Sequence, residues 1–371
     1  MKILYIITST NTGGAEKALS ALAVSLSKEH QIKVISILPK GKIAYDMEAK
    51  GIEVISLNIS GYVKTGVVKE ISAIIESFKP DIVHGMLYRG IQFARLACAG
   101  KKVKLITTPH FDLSKKNFIL KKLDFFLKDL DKLTVVESLS SAKYLIDKQH
   151  YRKEKVFLLP NSVDKNKFYP DLSIRKTMRE KYGYTPDQTI FISVARLAAV
   201  KDPIVLLQSF RNVLRKNPHA RLIFVGEGAE KEKLIHFIKE SGISKEVLLV
   251  GEQSNINDWL NMADVFILSS VEESLPLALL EAISAGKPCV VSNVGDMPLW
   301  VEHGVNGFVF RPKDITLLSC FMGELASSLD LIKKMSDKSL EKASNMNNNI
   351  EQYKEIYQQL FNNSFHVKTL H

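Results

Sequence analysis

The chain has 371 residues, of which 46% are hydrophobic and 25% are charged, and its formal net charge is +11. This length exceeds that of one ordinary core and predicts two domains, and the composition is typical of a globular protein. No apolar run approaches the ~18 residues that a membrane-spanning helix needs, and the chain starts as a strand without a cleavable signal. We therefore expect a cytoplasmic protein that does not cross a membrane.

Short β-rich runs alternate with helical patterns along the first half of the chain. The predicted strands lie near residues 2–8, 32–38, 52–57, 81–84, 103–108, 133–137 and 156–159, and the predicted helices near 15–28, 66–78, 88–99, 115–131 and 139–149. Such alternation is typical of a parallel, doubly wound sheet.

The same alternation begins again after Pro160 and Pro170. The predicted strands lie near 189–194, 220–225, 247–250, 265–269 and 288–292, and the predicted helices near 202–216, 228–240, 254–262, 276–285 and 350–361. We predict an α/β protein with two Rossmann-like domains, residues 1–168 and 169–346, that face each other across a cleft. Ligands of such sheets bind beyond the carboxyl ends of the strands, so the chemistry is expected in that cleft.

The positive charge is concentrated in the first half. Residues 1–170 hold 28 lysines and arginines against 16 acidic residues, a net +12, whereas residues 171–371 hold 23 against 24, a net −1. A basic half suits nucleic acid, an anionic membrane surface or an anionic substrate. Because no nucleic-acid-binding signature is present, we expect no nucleic acid partner.

Candidate ligand-binding residues of the first half stand at predicted strand ends. The first strand is followed by Gly13 and Gly14 and then by a helical pattern, which suits close approach of an anion but also fits an ordinary turn. His84 and His110 each end a strand, where a histidine can donate a hydrogen bond to a sugar. A single histidine is more often structural, and His110 is the stronger candidate of the two.

Two cations, Arg196 and Lys201, follow the first strand of the second half. An arginine fork and a lysine point charge at the carboxyl end of a strand suit a diphosphate, and the alternative is a solvated turn. Gly226 follows the next strand in a Gly-Glu-Gly run that lacks the third glycine of a dinucleotide fingerprint. Nicotinamide chemistry is therefore not supported.

Two glutamates flank the start of a later helix. Glu273 precedes a helix whose first turn accommodates Pro276 and which Gly286 can end, and Glu281 interrupts its apolar face. An unpaired carboxylate there would be costly, and ribose hydroxyls would satisfy it. The run 129–131, Asp-Leu-Asp, imitates a metal-binding motif of other sugar transferases, but it lies in an amphipathic pattern that we interpret as a solvated helix face. We expect no metal site.

Together these residues resemble glycosyltransferase family 4, of the group 1 type, whose members have the two-domain GT-B fold. The resemblance spans nearly the whole chain and rests on residues 13–16, 80–84, His110, 160–164, Arg196 with Lys201, and Glu273-x7-Glu281. It implies retaining transfer of a sugar from a nucleotide diphosphate sugar, a UDP-sugar being favoured, without a cofactor or bound metal. It also implies that the final segment, residues 347–371, is a helix that crosses back onto the first domain.

The resemblance implies a role for each candidate residue. Arg196 and Lys201 would neutralise the leaving diphosphate, Glu273 would contact hydroxyls of the donor sugar, Glu281 would hold the ribose, and His110 would lie near the reacting face of the sugar. The further donor-binding positions are Gly13, Gly14, Gly226, Ser274, Leu275, Pro276 and Leu277. Family members often have Gly-Phe-Gly where this chain has residues 274–276, a departure that bears on sugar preference.

Residues 115–128 form a basic amphipathic pattern. Its core-facing seam is predicted to contain Ile119, Leu123, Phe126 and Leu130. The flank beside this seam contains Lys115, Lys116, Phe118, Lys121, Lys122 and Phe125. This flank would either contact an anionic membrane surface or complete the core. We therefore expect peripheral attachment to the inner face of a membrane and transfer to a saccharide or lipid-linked acceptor in cell-surface polysaccharide synthesis.

Two other functions remain open. One is a nucleotide-sugar epimerase or hydrolase of the same fold, and the other is a non-catalytic GT-B subunit that binds glycan or stabilises a partner. The charged residues at the predicted strand ends favour an enzyme of the hexosyltransferase type.

Overall fold

The computed structural model describes residues 1–59, 66–110, 113–346 and 349–364, without the side chain of Lys115. The chain forms two compact units, Met1–Asn161 with Asn348–His371, and Ser162–Asn347. The second unit starts before the predicted boundary at residue 168, because Phe168 is buried in its core and Val163 packs there. Residues 347, 348 and 365–371 of the predicted final segment lie outside the described residues.

The first unit contains a seven-stranded sheet. Its strands are β1 (Lys2–Ile7), β2 (Gln31–Ser36), β3 (Glu53–Ser56), β4 (Ile82–Met86), β5 (Lys104–Thr108), β6 (Leu133–Val136) and β7 (Val156–Leu158). The helices between them are α1 (Gly14–Leu26), α2 (Lys42–Glu48), α3 (Val67–Phe78), α4 (Leu87–Cys98), α5 (Phe118–Leu127) and α6 (Leu139–Asp147). The described strands pair in parallel in the order β3-β2-β1-β4-β5-β6-β7.

The second unit contains a six-stranded sheet. Its strands are β8 (Ile190–Val194), β9 (Arg221–Val225), β10 (Val247–Leu249), β11 (Val265–Leu268), β12 (Cys289–Ser292) and β13 (Gly307–Phe310). The helices are α7 (Leu172–Tyr182), α8 (Pro203–Leu214), α9 (Lys231–Glu240), α10 (Ile256–Met262), α11 (Leu277–Ser284), α12 (Met297–Trp300), α13 (Ile315–Ala326) and α14 (Leu329–Ser344). The described strands are again parallel, in the order β10-β9-β8-β11-β12-β13.

Both sheets are covered by helices on both faces. In β1, Ile3 and Tyr5 belong to one core cluster and Leu4 to another on the opposite face, and in β8 Ile190 and Phe191 divide in the same way. Parallel strands buried on both faces read as continuous apolar runs, which is why they were recognisable in the sequence. The two sheets with alternating helices confirm the predicted α/β class.

The last helix, α15 (Asn349–Phe361), belongs to the first unit. Its residues Tyr353, Ile356 and Tyr357 are buried in the same core cluster as Leu19 of α1. The hydroxyl groups of Tyr357 and Tyr5 lie 3.1 Å apart, so a hydrogen bond joins the helix to strand β1. The carboxyl-terminal helix therefore completes one face of the first sheet.

Helix α5 contradicts the predicted core-facing seam. Ile119 and Phe126 of that seam are 75% and 73% exposed, whereas Asp124, on the opposite side, is buried. The reason is an ion pair between Asp124 Oδ1 and Nη1 of the buried Arg95 at 2.7 Å. Because a buried arginine demands a carboxylate partner, this charge pair turns the face with Asp124 inward and leaves the apolar face outward.

Asp131 is also buried, so the interpretation of residues 129–131 as a solvated helix face was wrong for it. Its carboxylate accepts two hydrogen bonds from Arg95, at 2.9 and 2.6 Å, and one from Thr107 Oγ1 at 2.8 Å. Asp129 is exposed, as predicted. Among the described residues, no group of three or more His, Cys, Asp or Glu side chains is arranged to hold a metal ion.

Across the described part of the chain, no single helix is long and apolar enough to cross a membrane. One pair of helical segments, Ile315–Ala326 and Leu329–Phe361, is long and apolar enough only when the two are taken together, and the chain bends sharply between them.

Candidate functional site

The strand order of the second sheet reverses between the neighbours β8 and β11. In open parallel sheets, such a switch point leaves a crevice beyond the carboxyl ends of the two strands, and ligands bind there. Arg196 and Lys201 follow the end of β8, and Glu273 follows the end of β11. The topology therefore brings three of the predicted charged residues to one edge of one sheet.

Lys201 and Glu273 form an ion pair at this edge. Nζ of Lys201 donates to Oε1 of Glu273, and Oγ of Ser270 donates to the same oxygen at 2.7 Å. The side chains of Lys201 and Glu273 are 21% and 9% exposed, so water screens the pair only weakly. Each charge orients the other, which excludes the alternative that Lys201 is simply a solvated turn residue.

Backbone contacts hold the two loops that carry this pair. Oγ of Ser269 donates to the carbonyl oxygens of Lys201 and Asp202 at 3.1 and 2.9 Å, and the N–H of Val271 donates to the carbonyl of Val200 at 2.9 Å. Asp202 has a left-handed φ of 45° immediately before α8. The positions of the charges are therefore determined by the backbone of both loops.

Arg196 is exposed, and its guanidinium makes no ion pair or hydrogen bond with the residues that the structure describes. Its loop lies directly against the end of β9. A Cβ added at Gly226, where φ is 142°, would lie 2.0 Å from the carbonyl oxygen of Ala195, and one at Gly228 would lie 2.2 Å from that of Leu197. The observed role of Gly226 is therefore to let the loop with Arg196 approach the sheet.

The turn between Glu273 and α11 rests on the loop after β12. A Cβ at Gly295, where φ is 55°, would lie 2.3 Å from the carbonyl oxygen of Glu273 and 2.4 Å from that of Ser274. The N–H of Asp296 donates to Ser274 O at 2.8 Å. The chain then enters α11 with Pro276 extended at the N-cap, so the positive end of the helix dipole lies close to Glu273 in the chain.

The remaining predicted positions of this region differ in what they offer a ligand. Leu275 is buried in the core of the second unit, so only its backbone is available. Leu277 is the first residue of α11, and Glu281 lies half-buried in the second turn of the same helix. Gly286 follows the end of α11 with φ of 68°, in agreement with the predicted helix stop.

In the first unit, Gly13 is the N-cap of α1 and Gly14 is its first residue. The largely buried carboxylate of Glu16 folds back over this end, accepting a hydrogen bond from Ser9 Oγ at 2.5 Å. A Cβ added at Gly13 would lie 2.3 Å from Glu16 Oε2. An acidic side chain therefore already compensates the positive end of α1, which disfavours a second anion there.

The two strand-end histidines have different environments. His84 in β4 is fully buried, and its ring nitrogens lie 2.6 Å from the hydroxyl of Tyr357 and 2.7 Å from that of Thr108. Burial lowers the pKa of His84 to about 3, with a smaller contribution from His110, so its ring is neutral and structural. His110 follows β5 with a left-handed φ of 50° and is partly exposed, which leaves it as the candidate for ligand contact.

The candidate residues thus fall into two groups. Gly13, Gly14 and His110 belong to the first unit, and the remaining candidates belong to the second. Ser270 and Gly295, which orient and support Glu273, were not predicted from the sequence. Both occur just after a strand, the same signal that identified Arg196.

Two family models match the chain. The model described as "Glycosyltransferase Family 4" matches residues 12–167, and that of "Glycosyl transferases group 1" matches residues 174–352. The chain is 26% identical over 247 residues to N-acetyl-alpha-D-glucosaminyl L-malate synthase of Bacillus anthracis, covering 65% of this chain and 63% of that protein. It is 31% identical over 164 residues to UDP-Gal:alpha-D-GlcNAc-diphosphoundecaprenol alpha-1,3-galactosyltransferase of Escherichia coli, covering 43% and 42%. The matches thus span less than two thirds of these relatives.

Solved structures show the same fold over nearly the whole chain. HepE of Anabaena in complex with UDP has a TM-score of 0.85 at 20% identity, covering 97% of this chain and 99% of that one. WaaG, described as a glycosyltransferase involved in lipopolysaccharide biosynthesis, has a TM-score of 0.77 at 14% identity, covering 96% and 99%. With two parallel doubly wound sheets and matches to both family models, the chain belongs to the group 1 glycosyltransferases of family 4 and has the GT-B fold of two Rossmann-like domains.

Proposed function

We propose that this chain is a retaining hexosyltransferase that moves a sugar from a nucleotide diphosphate sugar to a hydroxyl of a saccharide or lipid-linked acceptor. The observation that carries this proposal is the arrangement at the switch point of the second sheet. There, an oriented Lys201–Glu273 pair lies on the same edge as Arg196, whose guanidinium has no partner among the described residues. This edge combines cations for a diphosphate with a carboxylate for hydroxyl groups.

The cations fit the charge that develops during transfer. Breaking the sugar–phosphate bond builds negative charge on the diphosphate and positive charge on the sugar. Arg196 and Lys201 follow the end of β8, and cations fixed in advance stabilise the leaving group more in the transition state than in the ground state. No metal ion or other cofactor is part of the proposal.

The carboxylates fit the neutral parts of the donor. Glu273 is held by Lys201 and Ser270, so its charge is compensated while its remaining acceptor capacity is available to sugar hydroxyls. Glu281 is half-buried in α11, a position that suits ribose hydroxyls. We favour UDP as the nucleotide, since the E. coli relative is named for UDP-Gal and HepE was solved with UDP-glucose.

A calorimetric binding screen of UDP-, GDP-, ADP- and CMP-sugars tests the donor site. We expect UDP-sugars to bind most tightly and Glu281→Ala to weaken that binding by roughly tenfold, because hydrogen bonds to a charged group contribute about 1.5–3 kcal/mol. Glu324→Ala, at an exposed glutamate of α13, is the matched control. Binding of no nucleotide sugar, or unchanged binding by Glu281→Ala, would contradict the proposed site.

Product analysis distinguishes transfer from related reactions. With acceptor present, we expect a new glycoside with the anomeric configuration of the donor. A donor epimer formed without acceptor would indicate an epimerase, and free sugar alone would indicate a hydrolase. Donor binding without any product would indicate a non-catalytic subunit.

We further propose that the exposed face of α5 attaches the first unit to an anionic membrane surface. Phe118, Ile119 and Phe126 are 68%, 75% and 73% exposed, and large exposed apolar groups beside lysines are typical of interfacial helices. Nζ of Lys122 lies 4.6 Å from the ring centre of Phe118. Of the predicted flank, Phe125 instead packs under Lys128, whose Nζ lies 3.6 Å from its ring centre, and the side chain of Lys115 lies outside the described residues.

Such attachment suits a lipid-linked acceptor at the inner face of a membrane and a role in cell-surface polysaccharide synthesis. The electrostatic contribution is about 1 kcal/mol for each lysine near an anionic surface and decreases with salt. The apolar contribution comes from the outward face of α5. Both contributions are needed for stable attachment, and they can be varied separately.

Replacing Ile119 and Phe126 together with serine is expected to reduce binding to phosphatidylglycerol-containing vesicles by tenfold or more, because burying each such side chain contributes roughly 1.5–3 kcal/mol. Vesicle co-sedimentation at low and high salt measures the effect. The control is a double serine variant at Leu172 and Leu329, which are 83% and 64% exposed in the other unit. Equal binding of both variants, or no preference for anionic over neutral vesicles, would contradict the proposal.

A further inference from the structure

Glu137 is a buried carboxylate that neither the fold nor the proposed donor site uses. It directly follows β6, is 4% exposed, and its Oε2 has no hydrogen-bond partner among the described residues. A buried carboxylate oxygen without a partner destabilises the folded chain. Its presence therefore requires an explanation outside the packing of the unit.

Two other buried carboxylates of this unit have the partners that a structural role requires. Asp124 accepts hydrogen bonds from Arg95 and from the hydroxyl of Tyr151, both at 2.7 Å. Asp131 is bound by two nitrogens of the same Arg95. Glu137 has no cation within ion-pair distance in the described structure, although it lies only six residues after Asp131, just beyond the end of β6. It is therefore the exception among neighbouring carboxylates.

The position of Glu137 points to the ligand edge of the first sheet. β5 and β6 are parallel neighbours in which Thr107 pairs with Thr134. The same register, continued beyond the last paired residues, brings His110 level with Glu137. Both residues thus follow the carboxyl ends of adjacent strands, where ligands of open parallel sheets bind.

Electrostatic effects relate Glu137 to the buried polar residues at the end of β5. Burial raises the pKa of the Tyr353 hydroxyl, and the Glu137 carboxylate raises it further. The hydroxyl oxygen of Tyr353 lies 3.4 Å from Thr108 Oγ1, and Thr108 Oγ1 lies 2.7 Å from Nε2 of His84. His110 contributes to the lowered pKa of the same His84 ring. Glu137 and His110 therefore both act electrostatically on one buried polar cluster at the end of β5.

We propose that Glu137 is an acceptor-binding residue whose carboxylate accepts a hydrogen bond from a hydroxyl of a neutral saccharide. This inference rests on the proposed transferase function and adds the chemical class of the acceptor at this position. A hydroxyl satisfies the unpartnered oxygen, whereas a phosphate or carboxylate there would be repelled by the like charge. The acceptor sugar that contacts Glu137 is therefore uncharged at the contacting position.

The test uses Glu137→Gln and Glu137→Leu with methyl glycosides of glucose, galactose and N-acetylglucosamine as acceptor probes. We expect the wild type to bind at least one probe and Glu137→Gln to raise its acceptor KM by roughly tenfold or more, while the affinity for the nucleotide sugar is unchanged. Glu137→Leu should lose the probe and unfold at an equal or higher temperature, because a destabilising group has been removed. Glu154→Gln, at an exposed glutamate of the same unit, is the control.

A purely structural Glu137 would give the opposite pattern. In that case Glu137→Leu would lower the unfolding temperature, and donor and acceptor parameters would decline together. Failure of all three glycosides to bind the wild type, or an unchanged acceptor KM in Glu137→Gln, would also overturn the inference. Failure of the wild type to bind any nucleotide sugar is a different result, because it contradicts the proposed function rather than the role of Glu137.

Discussion

Replacing Arg196 with alanine is expected to lower the turnover of sugar transfer by roughly a hundredfold or more. The guanidinium is exposed, makes no ion pair with the residues described, and follows a strand at the switch point of the second sheet. Removing one preorganised contact to a developing negative charge costs about 2.7–4 kcal/mol in the transition state. Because no buried partner is left behind, we expect the unfolding temperature to stay within about 1 °C of the wild type.

Steady-state rates with a UDP-sugar and an acceptor measure this effect. Arg196→Lys should fall between the wild type and Arg196→Ala, since it retains the charge and loses the planar fork that binds phosphate oxygens in pairs. Arg215→Ala, at an exposed arginine after α8, is the matched control. A rate for Arg196→Ala near that of Arg215→Ala would remove Arg196 from the proposed site.

Replacing Lys201 with methionine is expected to lower both turnover and stability. The substitution leaves the carboxylate of Glu273, which is 9% exposed, with Ser270 as its remaining hydrogen-bond partner among the described residues. The uncompensated charge destabilises the folded chain by part of the roughly 3–5 kcal/mol that breaking a fully buried pair costs. It also repels the leaving diphosphate, so the expected loss of turnover is again roughly a hundredfold or more.

The double variant Lys201→Met with Glu273→Gln separates these two effects. It removes both charges, so the unfolding temperature should recover toward that of the wild type while turnover stays low. The exposed pair Lys338–Glu341 provides the control, since solvent screens it and Lys338→Met should leave the unfolding temperature close to that of the wild type. If the double variant regained turnover, the pair would be structural and the proposed roles of both residues would be wrong.

The family and the sheet architecture followed from the sequence with little error. The matches to both family models confirm the resemblance read from the strand-end residues, and the predicted strands 2–8, 103–108 and 220–225 overlap β1, β5 and β9. Buried parallel strands are short apolar runs, so local composition is enough to find them. No element was predicted for α2, α7, α12, α13, α14 or β13.

Helix α5 shows where local pattern was not enough. The periodicity of residues 115–131 predicted a core-facing seam with Ile119 and Phe126, yet both are exposed. The inward face is set by the pairing of Asp124 with Arg95, 29 residues away in sequence. Hydrophobic periodicity assumes that apolar groups take the buried face, and a buried charge pair overrides that assumption.

The sequence by itself determined the family, the α/β class and the identity of the charged residues, because these depend on residue type and on short-range order. Only the tertiary structure decided that Lys201 and Glu273, 72 residues apart, form an ion pair. It also decided that His84 is buried and that Glu137 has an unpartnered oxygen. Such contacts depend on which strands become neighbours at a switch point and on which side chains the packing leaves without partners, and both are properties of the whole folded unit.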